Sequence, residues 1–121
     1  MNNSQAKHYL LSKPEAIEVY PFGPDVTVFK VKNKMFATLA LGNGTDNYWM
    51  NLKCEPSEAL MIRDIFPSVI PGYHMNKHHW NTVILDDTVP KGEIERMMDN
   101  SFLLVVKGMT KADRRSIELV L

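Results

Sequence analysis

The chain has one cysteine in 121 residues, no excess of either charge sign, and no apolar run longer than Phe102–Val106. Cys54 alone forms no intrachain disulfide, and eight methionines beside a lone thiol fit a reducing cytoplasm, which is the expected location. The first residues, Met1 to His8, are polar and lack the apolar core of a signal peptide. A membrane-spanning helix needs about 20 apolar residues, and no stretch comes near that. Fourteen basic residues against fourteen acidic ones leave no net charge. Domains that live on nucleic acid usually carry a basic excess, so any such affinity here needs a local patch. Neither a Gly-x-Ser-x-Gly elbow nor a phosphate-cradling glycine loop occurs. Cys54 reads as a buried strand residue rather than an activated nucleophile. A non-enzymatic protein is expected, with no cofactor.

What is present fits one domain, residues 1–121, large enough to bury a core unaided. Ser4 reads as the N-cap of a short helix through Leu11, with Ala6, Tyr9 and Leu10 on one face and Pro14 beyond its end. Tyr20–Pro24 is an irregular connection whose aromatic residues are expected to tuck against the sheet edge. Alternation of period two then predicts strands at Val26–Val31, Met35–Leu41 and Tyr48–Cys54, with turns at Lys32–Lys34 and Gly42–Gly44. In the third strand Tyr48, Met50, Leu52 and Cys54 share one face, and Trp49, Asn51 and Lys53 the other. Pro56 opens a second helix that Pro67 breaks. A fourth strand, Trp80–Leu85, closes in the acidic turn Asp86-Asp87. The longest helix is placed at Pro90–Lys107, with Ile94, Met97, Met98, Ser101 and Val105 facing the sheet. Gly108 stops it. Thr110 and Asp113 suggest a capping box for a last helix anchored by Ile117 and Val120. The pattern is α+β: an antiparallel sheet of at least four strands with helices packed on it.

The densest chemistry lies in Pro71–Leu85, which holds three of four histidines, a tryptophan and Lys77 before an apolar strand. Charged and aromatic groups beside a buried strand make a natural binding surface. His74 and His78 are four apart, but two ligands do not make a metal site, and no carboxylate or thiol is close in sequence. No metal is expected. If the strands are neighbours, Trp49 and Trp80 flank a shallow pocket with Asn76 and Lys77 on its rim; the bland reading makes both tryptophans core.

Several fragments resemble the MmcQ/YjbR-like family: Pro14-Glu-Ala16, Pro21-Phe-Gly23, Phe29-Lys-Val31, Lys34-Met-Phe-Ala37, Leu52-Lys-Cys54, His74-Met-Asn-Lys77 with His79-Trp80, and Ser101. Glu15 stands where the first of these motifs has glycine. The resemblance implies a frataxin-like arrangement, also described as a double wing, and carries a DNA-binding label that rests on analogy of fold. It also implies that His74, Asn76, Lys77, His79 and Trp80 form the site. In a nucleic-acid role Lys77 would contact phosphate, Asn76 would hydrogen-bond and Trp80 would stack, with Lys34 on the 32–34 wing tip and Lys53 on a neighbouring strand. The alternative is a module that binds a protein or a small anion. Iron binding on a frataxin-like fold goes with an acidic first helix, and Asn3–Lys13 contains neither Asp nor Glu.

Overall fold

The computed structural model describes residues 1–121. Its elements are α1 (Asn3–Leu11), β1 (Ile17–Val19), β2 (Val26–Val31), β3 (Lys34–Leu41), β4 (Tyr48–Lys53), α2 (Pro56–Ile65), β5 (Val69–Pro71), β6 (Trp80–Ile84), α3 (Lys91–Lys107) and α4 (Lys111–Glu118). All strand pairs are antiparallel, in the order β1-β2-β3-β4-β6-β5. The α+β class, the β2–β3–β4 meander and the long helix are those expected. Strands β1 and β5 were not, because three residues are too few for alternation to show.

One side of the sheet carries the main core. Phe29, Ala37, Leu39, Met50, Leu52 and Val83 lie along paired positions on that side and are buried. The stripe of α3, including Ile94, Met98, Phe102 and Val105, packs against them. Burial of each large side chain contributes about 1.5–3 kcal/mol. A bulge adds to this side. Phe29 pairs with Ala37 and Lys30 with Met35, so Phe36 is an extra residue in β3. It lets Phe36 join Ala37 in the core, where its ring meets Phe102 edge-on at 5.3 Å. Ser101 completes the joint, since its Oγ donates to the Phe36 carbonyl at 2.6 Å and accepts from Lys53 N at 2.8 Å.

Local backbone chemistry explains the remaining details. The β2–β3 turn has φ of 48° at Lys32 and 63° at Asn33, the left-handed pair suited to a two-residue hairpin. Glu15 has φ 59°, so it adopts the conformation that glycine would take at that motif. Its carboxylate accepts from Ser116 Oγ and pairs with Lys32, tying the first connection to α4 and the hairpin. Arg96 bridges Glu58 of α2 and Glu93 of its own helix.

Four local expectations need correction. The N-cap of α1 is Asn2, not Ser4: Asn2 Oδ1 accepts from Gln5 N, and Gln5 Oε1 accepts from Asn2 N. Strand β4 ends at Lys53, and Cys54 lies just beyond it, though buried as expected. Val120 does not anchor α4; it follows the helix and is exposed. Tyr20 and Phe22 do not tuck away, and Phe22 is 72 % exposed. No helix is long and apolar enough to cross a membrane.

Candidate functional site

The other side of the sheet has no helix over it. Its middle carries a row of polar side chains, Thr38 of β3, Asn51 of β4 and Thr82 of β6, brought level by strand pairing. The next row holds Ala40 and Trp49. Over these lies the segment joining β5 to β6, and from the β1–β2 connection comes Phe22. Together they form an open cleft of about 1010 Å³, counting its mouth. Trp49, Tyr73, Met75, Met35 and Phe22 supply its walls. Tyr73 meets Trp49 edge-on at 5.3 Å, and His74 lies against Tyr73 with ring centres 4.1 Å apart. No Asp, Glu, Lys or Arg lines it, and His74 and Tyr73 are its titratable residues.

Hydrogen bonds fix the covering segment to the floor. Tyr73 N donates to Thr82 Oγ1 at 2.8 Å, Thr82 Oγ1 donates in turn to Asn51 Oδ1, and Asn51 Nδ2 donates to the Tyr73 carbonyl at 3.2 Å. This cycle holds Tyr73 beside Trp49. The next residue, His74, has φ 59°, a left-handed value that costs a non-glycine residue about 1–2 kcal/mol. Strain of this kind persists where the surroundings enforce it.

The expected site residues separate into three groups. His74 reaches the cleft. Asn76 and Lys77 shape the segment instead: Asn76 Oδ1 accepts from His78 N at 2.9 Å, and Lys77 Nζ donates to the Gly72 carbonyl at 2.9 Å. Arg63 of α2 donates to the Lys77 carbonyl, holding the same turn from outside. Trp80 is only 9 % exposed, tucked beneath Gly72, where an added Cβ would come within 2.8 Å of the Trp80 Cβ. A stacking role for Trp80 is therefore corrected to a packing one, and Trp49 alone of the two tryptophans lines the cleft. Lys34, Lys53 and His79 gather at the sheet end that holds the β2–β3 turn. There Lys53 is paired with Trp80, and the His79 carbonyl accepts from Cys54 N at 2.8 Å. Lys34 and Lys53 pair with no carboxylate.

Sequence reasoning missed Tyr73, Met75, Met35, Phe22 and Thr38 as cleft residues. One signal was readable: Thr38, Asn51 and Thr82 are polar residues next to apolar ones within their strands. Their convergence depends on register, which the sequence does not display. The histidines form no metal cluster, since no three His, Cys, Asp or Glu side chains come together. Cys54 lies on the opposite side, where burial first and then Glu58 and Glu55 push its thiol up to about 11, so it stays protonated.

Known proteins share both sequence and fold. The YjbR family model matches residues 11–104. YbdF of Escherichia coli O157:H7 is 35% identical over 112 residues, 93% of this chain and 90% of its own. YjbR of Escherichia coli K12 is 29% identical over 115 residues, covering 95% and 96%. Among solved structures, Deinococcus radiodurans protein DR2400, a DUF419 domain, superposes with a TM-score of 0.87 at 35% identity, covering 97% of this chain and 88% of that one. A Pseudomonas syringae protein gives a TM-score of 0.76 at 31% identity, covering 87% and 99%. By sequence, by fold and by the extent of both matches, the chain belongs to the YjbR family.

Proposed function

We propose that the protein is a non-enzymatic binding protein whose recognition surface is the helix-free side of its sheet. The observation that carries this reading is the cleft itself: aromatic and thioether walls over a polar floor, left uncovered by the rest of the chain. Concave, mostly apolar sites with a few placed polar groups are the usual form of a ligand site. No nucleophile paired with a base lies in it, which supports binding rather than turnover. N-phenyl-1-naphthylamine, an uncharged dye that brightens in apolar surroundings, tests it. Its emission should rise on titration, and Ala40→Phe, which fills the floor, should abolish the rise without lowering the melting temperature. Equal emission from both proteins would place the dye elsewhere and remove the proposal.

A second reading keeps the nucleic-acid role. It is supported by Lys34 and Lys53, free of carboxylates, beside His79 at one end of the sheet. Phosphate contacts there would give affinity for a labelled 20-mer that falls steeply between 50 and 200 mM salt, roughly as counterions are released. Lys34→Glu with Lys53→Glu should abolish it. A small anion would meet His74 as the one basic side chain within the cleft.

A further inference from the structure

We infer that the cleft takes an uncharged, flat heteroaromatic ring whose edge carries a carbonyl next to an N–H, as in a lactam. This rests on the cleft being the binding surface and narrows what it accepts. The walls come first. Trp49, Tyr73 and Phe22 offer ring surfaces, and Met35 and Met75 offer polarisable thioethers, both of which favour a planar apolar body. Charge comes second. Without a Lys, Arg, Asp or Glu in its lining, the cleft has no permanently charged partner for a phosphate, a carboxylate or an ammonium group, and His74 is its one basic side chain. An ion entering it would lose water and gain no permanent counter-charge.

The floor decides the edge. Thr82 spends its one proton on Asn51 Oδ1 and accepts from Tyr73 N, so it has no donor left for a ligand. Asn51 Nδ2 has two protons and spends one on the Tyr73 carbonyl, leaving the other free. Thr38 is only 9 % exposed, yet its hydroxyl makes no hydrogen bond within the protein and is not sealed from solvent. It therefore opens onto the cleft as both donor and acceptor. Trp49 Nε1 meets no acceptor but is sealed from solvent, so it belongs to the wall and not to the edge that a ligand reads. It is wedged against Gly42, where an added Cβ would fall 2.2 Å from that nitrogen. The free Asn51 amide N–H stands in register beside the Thr38 hydroxyl; the amide N–H calls for a ligand carbonyl, and the Thr38 oxygen takes one N–H in return. A ligand that covers these two groups without pairing them costs their hydrogen bonds to water, and a matching edge recovers that cost.

The test uses 2-quinolone, its hydrocarbon counterpart naphthalene, and the anion quinoline-2-carboxylate, titrated against the full chain while amide signals are followed by NMR. In the natural protein 2-quinolone should bind about 5- to 10-fold more tightly than naphthalene, the range expected for one or two net hydrogen bonds. The carboxylate should bind most weakly of the three. Thr38→Val keeps the β-branched shape and removes the unpaired hydroxyl, so the protein should stay folded while the preference for 2-quinolone shrinks to within about twofold. Equal binding of naphthalene, tighter binding of the carboxylate, or an undiminished preference in Thr38→Val would each overturn the inference while leaving the cleft a binding surface. If neither neutral ring shifts Thr38, Trp49 or Asn51, the cleft reading falls as well.

Discussion

On the helix side of the sheet Leu39, Met50 and Val83 stand in register, and α3 lays Met98 and Phe102 over that side until nothing remains exposed. One residue along the same strands, on the opposite side, Thr38, Asn51 and Thr82 stand in register with no helix above them. A short segment reaches across part of that row, held by hydrogen bonds to Thr82 and Asn51 as well as by Trp80 packed beneath Gly72. On the proposed reading, the contrast separates stability from recognition in neighbouring residues of the same strands. Methionine, leucine and valine on one side supply the burial that keeps the sheet folded. On the other side Thr82 and Asn51 hold the covering segment, while the Thr38 hydroxyl makes no hydrogen bond within the protein.

The sharpest way to break that contrast is to damage the helix side. Phe102→Ala should destabilise the protein by about 3–5 kcal/mol, the range for truncating a buried aromatic residue, read as a lower urea midpoint with unchanged slope. A cost below 1 kcal/mol would mean the packed side does not carry the fold. Ser101→Ala comes next. It leaves the carbonyl of the bulged Phe36 and the Lys53 N–H without their partner, at about 1–3 kcal/mol. Ser101→Thr does not serve as a control, since the extra methyl enters a fully buried site.

On the open side the effects should be smaller and local. Gly42→Ala pushes a methyl into the Trp49 indole, so the ring must move; about 1–3 kcal/mol is expected, with a change in tryptophan emission. An unchanged emission spectrum would show that the Trp49 wall is not set by Gly42. The smallest effect concerns pH. Burial alone would raise the Asp86 carboxyl, but hydrogen bonds from Ser68 and Thr88, with oxygens 2.6 Å away, outweigh it and hold the group below its ordinary value. A folded value depressed in this way contributes stability above the unfolded value of about 3.9, and that contribution is lost as pH falls through the lower folded value. Asp86→Asn should therefore melt lower than the natural protein at pH 6 and differ less from it near pH 2.

The sequence made the helix side legible because burial leaves periodic traces. The α3 stripe Ile94, Met97, Met98, Ser101 and Val105 is buried throughout, and β4 alternates as its residues imply. Ser101 was read as one member of the stripe, yet its work is at a bulge that only the pairing of Phe29 and Lys30 reveals. The cleft was half legible. Asn51 and Trp49 share a strand face by simple alternation, and His74 belonged to the motif singled out. Trp80, in the same motif, packs beneath the covering segment because Gly72 admits it closely. Lys77 and Asn76 look like ligand groups by residue type, but they are spent on the turn that presents Tyr73 and His74. Polar residues that fold a binding segment and polar residues that bind look alike until their partners are known.

A rival patch exists on α2, whose Leu60, Met61 and Ile65 are exposed and together form an apolar strip. The most direct test of the account is where a neutral apolar probe settles. In ¹H–¹⁵N spectra recorded during titration with N-phenyl-1-naphthylamine, the account predicts saturating shifts at Thr38, Ala40, Trp49, Asn51 and Tyr73. Shifts confined to Leu60, Met61 and Ile65, with none across the helix-free side of the sheet, would contradict it.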